Sequence, residues 1–305
     1  MKTFKNGIVT LGVFDGVHRG HQKILKNVLK KARAADTHSI VYTFDPHPAR
    51  VLAPTAPLLL INTLTQRLEL IKSCGLDLVI VEPFTREFAR LSATDFFEKV
   101  LIKRLSAREI IVGYDFTFGS KREGTVEKLE TLGKKHKIPV TIIPAIRSNN
   151  GDTVFDKGLL ISSTQIRNFV ACGRVREAAK LLGRNHFIDG IVIHGRGLGQ
   201  KLGIETANLK SENELIPAVG VYSSTTTLGK KKIQSVTNIG KNPTFGGKTI
   251  SIETHLLGFK GDLYGKKLRV EFINRIRDEM RFENAQALKR QIRNDIKIAK
   301  KEFKR

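Results

Sequence analysis

Two hydrophobic periods divide this chain, and the change from one to the other limits its possible folds more than any other feature. Before about residue 184, short apolar runs alternate with stretches of helical period. The strand-like runs are Ile8–Phe14, Ser39–Phe44, Leu76–Val81, Glu109–Val112 and Val140–Ile143. Between them lie Gly20–Ala35, with Ile24, Leu25, Val28 and Leu29 on one face, and Thr65–Cys74, followed by Gly75 as a C-terminal cap. A helix capped by Ser92 runs through Phe96, Phe97, Val100 and Leu101, and another covers Val126–His136. Such alternation predicts a parallel sheet with right-handed crossovers. Helices over Thr164–Val170 and Val175–Leu182 close this half at Gly183.

Past residue 185 the helical period disappears. Runs at Ile188–His194, Val219–Thr227, Gln234–Ile239, Ile250–Leu257 and Lys267–Phe272, punctuated by glycine and proline, predict a small antiparallel barrel. A final helix places Leu288, Ile292, Ile296, Ala299 and Phe303 on one face. The expected architecture is therefore α/β: a parallel-sheet domain over residues 1–184, then an antiparallel β-barrel domain with a C-terminal helix over 185–305.

A length of 305 residues suits two cores. No run approaches the roughly 20 apolar residues of a membrane span, and MKTFKNG has no signal-peptide apolar stretch. Cys74 and Cys172 form neither a disulfide framework nor a zinc pattern, so a reduced, cytoplasmic protein without membrane partners is expected. Charge is the unusual quantity: 53 Lys and Arg against 29 Asp and Glu give +24. The basic residues are spread out, Trp is absent and no nucleic-acid-binding signature occurs, so the charge is read as a solvated surface that steers anions rather than a dedicated nucleic-acid interface.

The most informative motif is TLGVFDGVHRGHQ at Thr10–Gln22. A strand ends at the Asp15-Gly16 turn and a helix begins near Arg19, which puts His18 and His21 at the carboxyl end of a strand and the N-terminus of a helix. Ligands of open α/β sheets bind at such a place, and free N–H groups with the helix dipole favour anions. Gly12, Gly16 and Gly20 allow a phosphate close to the backbone. Two imidazoles there can donate to phosphate oxygens and stabilise charge developing during displacement at phosphorus. No Walker loop is present.

His18-Arg19-Gly20-His21 resembles the H-x-G-H motif of the nucleotidyltransferase superfamily, and ISSTQIR at Ile161–Arg167 resembles its downstream partner. With TFDPHP at Thr43–Pro48, VGYDFTFG at Val112–Gly119 and LLGR at Leu181–Arg184, the first half is similar to the FMN adenylyltransferase module of bacterial FAD synthetases. The resemblance implies ATP contacts from Gly12, Phe14, Ser162, Ser163, Thr164 and Arg167, catalysis by His18 and His21, and flavin contacts from Pro46, His47 and Asp115.

The second half resembles the riboflavin kinase domain of the same family through HGRGLGQKLGIETAN at His194–Asn208, NIGKNPTF at Asn238–Phe245, IETHLL at Ile252–Leu257 and GDLYG at Gly261–Gly265. Gly195, Gly197 and Gly199 would wrap ATP phosphates. Thr206 and Asn208 offer hard oxygens to Mg2+, and Glu253 would take the proton of the riboflavin 5′-hydroxyl. The family's P-T-A-N signature is Glu205-Thr206-Ala207-Asn208 here, Gln200 stands where arginine is common, and Gly258 where an acid is common. The resemblance implies a bifunctional enzyme that uses ATP and Mg2+ to convert riboflavin to FMN and FMN to FAD. The alternatives are an adenylyltransferase whose kinase domain is impaired, and a flavin-responsive regulator that binds nucleic acid.

Overall fold

Alternate residues of a strand face opposite ways, and a sheet covered on both sides therefore needs apolar residues at nearly every position. Such strands occur here. A computed structural model describes residues 6–147, 158, 160–195, 204–244 and 247–303. Strands β1 (Gly7–Leu11), β2 (Ser39–Asp45), β3 (Leu78–Pro83), β4 (Ala107–Gly113) and β5 (Val140–Ile143) form a parallel sheet in the order β3-β2-β1-β4-β5. Val9, Leu11, Ile40, Tyr42, Ile110 and Val112 pack on one side with Phe97, Leu101 and Leu129. Their neighbours Ile8, Val41 and Ile111 pack on the other with Leu25, Val28, Ala32 and Ile71.

Helices α1 (Arg19–Ala34) and α3 (Leu64–Lys72) cover the second side. The first side is covered by α4 (Ala93–Asp95), which continues as a π-helical segment Phe96–Arg104, and by α5 (Val126–Lys135). Ser92 caps α4 as expected, accepting from the Asp95 N–H at 3.0 Å. A short helix α2 (Pro48–Leu52), capped by His47, had no apolar period to announce it.

Several boundaries differ from the sequence reading, and two have a plain backbone cause. Strand β1 stops at Leu11 rather than Phe14, because Phe14 takes φ 56° and turns out of the sheet. Helix α3 ends at Lys72, with Ser73 as its cap, and Gly75 adopts φ 83° in the turn beyond.

Packing divides the chain into compact units of residues 1–163 and 164–305. The division precedes the boundary drawn at 184/185, because α6 (Ser163–Ala171) and α7 (Val175–Leu182) group with the second unit. Val175 lies in the second unit's core, and Ala218 N–H donates to the Val170 carbonyl at 3.4 Å. An amphipathic period shows that a helix has an apolar face but not which core receives it. Gly183 ends α7 in the left-handed region, φ 73°.

The second unit is a closed barrel in the order β10-β7-β6-β11-β8-β9, every neighbouring pair antiparallel. Its strands are β6 (His186–Ile193), β7 (Ala207–Ser211), β8 (Gly220–Leu228), β9 (Lys231–Thr244), β10 (Gly247–Leu256) and β11 (Lys267–Arg277). Ile188, Leu209, Tyr222, Ile239, Ile252, Val270 and Phe272 share its core. Beside them five buried hydroxyls close a cycle of hydrogen bonds: Thr226–Ser235 (2.8 Å), Ser235–Ser224 (2.8 Å), Ser224–Thr237 (2.7 Å), Thr237–Thr254 (2.9 Å) and Thr254–Thr226 (3.4 Å).

Strand β7 was absent from the sequence reading. With the sequence ANLKS it has little strand signal of its own, and its pairing with β6 and β10 makes it a strand. Helix α8 (Ala285–Glu302) is capped by Asn284 and lays Ile296, Ala299 and Phe303 against Val221 and Val236. Asp295 on this helix, 1% exposed, accepts from the Arg277 guanidinium and from Gln291. No helix among the described residues is long and apolar enough to cross a membrane.

Candidate active sites

In the order β3-β2-β1-β4-β5, the order of connection reverses between β1 and β4, and open α/β sheets bind ligands at such a switch point, beyond the carboxyl ends of the strands. The loop that follows β1 fills this position. Phe14, Gly16 and Val17 all have positive φ (56°, 86° and 37°), and Val17 N–H donates to the Phe14 carbonyl at 3.0 Å. So tight a turn needs holding. The buried Asp15 carboxylate accepts from Ile61 N–H (3.0 Å) and Asn62 N–H (3.3 Å), and Ser163 Oγ donates to the Asp15 carbonyl at 2.8 Å. Ser163, at the start of α6, is thereby tied to the loop, with Ser162 just before it. Thr164 and Arg167 follow in the first two turns of that helix, beyond the division between the units.

His18 caps α1, its Nδ1 accepting from the His21 N–H at 3.3 Å. The two imidazoles stack with centroids 3.6 Å apart and planes 17° from parallel. Phe14 meets His21 edge-on at 5.2 Å. Gly20 allows this stack, since a Cβ there would stand 3.0 Å from the His18 ring. At Gly12 a Cβ would come within 3.2 Å of the Phe14 ring. Both glycines therefore make room for the motif's own rings as well as for any ligand.

The residues expected to touch a flavin lie at the same end of the sheet. Pro46 and His47 follow β2, and His47 Nδ1 accepts from the Ala49 N–H at 3.1 Å, which occupies one ring nitrogen in capping α2. Asp115 is exposed just past β4, with Oδ1 folded back 3.2 Å from where a Gly113 Cβ would be. Two features here escaped the sequence reading. Arg67, 3% exposed, donates to the Val13 carbonyl (3.1 Å) and the Phe44 carbonyl (2.8 Å), joining the ends of β1 and β2. Burial lowers its pKa from the ordinary value, with Asp45 and Asp15 opposing the shift. Phe44, Phe84, Phe88, Phe96 and Phe118 form a continuous row of rings 5.6–5.9 Å apart. Nothing local in the sequence marks Arg67; the phenylalanines are visible individually, but their contact is tertiary.

The barrel carries a second concavity of about 480 Å³. Gly195, Thr206, Asn208 and Glu253 all line it, together with Phe259 and Tyr264. Glu253 and Asn208 are direct partners across β10 and β7. Gly195 is so close to Asn208 that a Cβ would overlap the amide, lying 2.8 Å even from its far oxygen. Tyr264 stacks on His194, centroids 4.0 Å apart. Gly197, Gly199 and Gln200 lie outside the described residues. No group of three or more His, Cys, Asp or Glu side chains among the described residues is placed to hold a metal ion.

Comparison with known proteins gives these sites a family. Residues 1–156 match the family model described as FAD synthetase, and residues 182–303 match that described as riboflavin kinase. The chain is 35% identical over 297 residues to the bifunctional riboflavin kinase/FMN adenylyltransferase of Escherichia coli (strain K12), covering 97% of this chain and 92% of the relative. The chain belongs to the bifunctional riboflavin kinase/FMN adenylyltransferase family. The Pseudomonas fluorescens member is 36% identical over 295 residues, covering 96% of this chain and 92% of its own. Among solved structures, a Streptococcus pneumoniae protein described as a macrolide-efflux protein superposes with a TM-score of 0.89 at 33% identity, covering 98% of this chain and 95% of its own.

Membership in this family accounts for the two-part architecture, with an FAD synthetase domain ahead of a riboflavin kinase domain. All of α6 and all but the last residue of α7 fall between the two matched segments. The kinase match runs across Glu205 and Gly258, so these departures from the family signature leave the second domain within the family.

Proposed function

We propose that the protein phosphorylates riboflavin to FMN in the barrel and adenylylates FMN to FAD at the parallel sheet. The observation that carries this reading is that each domain gathers the expected chemical groups in one place: stacked His18 and His21 at the start of α1, and Glu253 opposite Asn208 on one pocket wall.

In the sheet domain the triphosphate of ATP lies against the N-terminus of α1 and the turn from Gly12 through Phe14 to Gly16. Backbone N–H groups and the helix dipole face its charge there. An FMN phosphate oxygen attacks the α-phosphorus in line, the bond from that phosphorus to the bridging oxygen of the β-phosphate breaks, and pyrophosphate leaves. His18 and His21 donate to oxygens on which charge accumulates. Ser162, Ser163, Thr164 and Arg167, at the start of α6, are assigned to phosphates as well. Pro46, His47 and Asp115, at the ends of β2 and β4, are assigned to the flavin.

In the kinase domain Glu253 takes the proton from the riboflavin 5′-hydroxyl, the oxygen bonds to the γ-phosphorus of ATP, and ADP leaves. Gly195, with Gly197 and Gly199, is assigned to the phosphates. Magnesium enters with the nucleotide as Mg-ATP. The hydroxyl of Thr206 and amide oxygen of Asn208 are hard donors of the kind that complete a Mg2+ shell already filled mainly by phosphate and water. The donor set fits this role and lacks the several carboxylates of a dedicated cage. Bound there, magnesium shields phosphate charge. ATP-dependent chemistry and two free cysteines agree with a cytoplasmic location.

The test is product analysis by chromatography. Riboflavin with Mg-ATP is expected to yield FMN and FAD, and supplied FMN to yield FAD with pyrophosphate. FAD from FMN without any FMN from riboflavin would remove the kinase half; no flavin product from either substrate would remove both.

A further inference from the structure

Thr206 stands just before the barrel ladder begins, and the support of its backbone comes from an unexpected side chain. Strands β10 and β7 pair Glu253 with Asn208 and Thr254 with Ala207, and β7 starts at Ala207. Glu205 and Thr206 lie beyond the last rung of that pairing. Glutamate at 205 leaves its own φ free, as proline would not.

His255 spans this gap. It follows Glu253 by two residues on β10 and therefore shares its face of the strand. Its Nδ1 stands 2.6 Å from the Glu205 carbonyl oxygen. A carbonyl only accepts, so Nδ1 is the protonated nitrogen and the ring donates. The Glu205 carbonyl belongs to the same rigid plane as the Thr206 N–H. Holding that oxygen fixes one end of Thr206's backbone, and with it the direction in which the Thr206 hydroxyl leaves the chain.

We infer that His255 is a positioning residue of the kinase site, which sets the Thr206 hydroxyl toward Mg-ATP by clamping the Glu205 peptide. One face of β10 thus does two jobs: Glu253 serves the hydroxyl of riboflavin and His255 the nucleotide's cation. The inference rests on the reading of Thr206 and Asn208 given above. It goes further in naming a residue that touches no substrate.

The test compares His255→Leu, His255→Asn and Thr206→Ala in the full chain. Asparagine places an amide N–H close to where Nδ1 lies; leucine removes the donor. Residues that orient metal ligands typically contribute about 10–100-fold. His255→Leu is therefore expected to raise the KM for Mg-ATP in FMN formation by about 10–100-fold, with kcat changed much less because Glu253 remains. His255→Asn is expected to restore most of that loss. Adenylylation of supplied FMN and riboflavin binding, followed by flavin fluorescence, serve as controls for a folded chain. Full kinase activity in Thr206→Ala would overturn the underlying reading of the site. A crippled Thr206→Ala beside an unaffected His255→Leu would overturn the positioning role alone. Equal loss in the leucine and asparagine variants would do the same, since the donor would not be what matters.

Discussion

Gly195→Ala separates the kinase site from the fold that carries it. An added Cβ would overlap Nδ2 and Cγ of Asn208 and lie 2.8 Å from Oδ1. Carbon atoms rest at about 3.5–4 Å from their neighbours, so the amide must retreat by on the order of 1 Å or more. The atoms that move are the end of a side chain in a pocket, and glycine-to-alanine changes at tolerant backbone positions alter stability by only about 1 kcal/mol. Function pays more, because misplacing a reacting or positioning group by 1 Å costs about 10²-fold. FMN formation from riboflavin and Mg-ATP should fall by about 10²-fold in kcat/KM, with an almost unchanged melting temperature. Adenylylation of supplied FMN should match wild type, since none of the residues assigned to it lines this pocket, and both rates come from one chromatogram. A folded Gly195→Ala protein with wild-type FMN formation would refute the placing of the Asn208 amide at the nucleotide.

Three further expectations are independent of that one. His21→Ala should lower FAD formation from FMN by about 10²–10³-fold while sparing FMN formation; equal FAD yields from mutant and wild type would remove His21 from the reaction. Glu253→Gln should abolish most kinase turnover yet leave adenylyl transfer intact, and a normal rate of FMN formation would rule out Glu253 as the base. His186, fully buried with Nε2 3.2 Å from the Leu215 carbonyl, has its pKa pushed down by burial from 6.5 to about 4. The unfolded chain takes up that proton first, so the barrel's stability is intact above pH 6.5 and declines as pH falls toward 4, by up to about 3 kcal/mol. Urea midpoints measured across that window should fall in wild type and flatten in His186→Gln; parallel profiles would exclude the histidine as their source.

Where a segment's neighbours are its own helix or the middle of a sheet, the sequence shows it directly. Val140–Ile143 and Val175–Leu182 are elements with the bounds their apolar patterns indicate. The histidine motif is equally legible, because turn dipeptide, capping residue and helix start lie within a few positions. Legibility fails where tertiary pairing decides. Phe14 has a strand residue's composition and leaves the sheet, since the chain must turn to bring its ring onto His21. Ala207–Ser211 has one large apolar residue and becomes a barrel strand because β6 and β10 each lack a neighbour without it. Nothing local marks Arg67 as a core residue, and it is buried where its guanidinium donates to two carbonyls near strand ends.

The ring of hydroxyls inside the barrel constrains how this domain can change over time. Ser224, Thr226, Ser235, Thr237 and Thr254 each have two partners in the circuit, so every member can give one proton and receive another. Replacing any single one with an apolar residue breaks the loop and strands two polar atoms where water does not reach, at about 1–3 kcal/mol apiece. Exchange of the whole set for well-packed hydrocarbon carries no such penalty. Mutation at these five positions is therefore tolerated collectively and resisted one at a time, and one of them, Thr254, directly follows Glu253, the proposed kinase base.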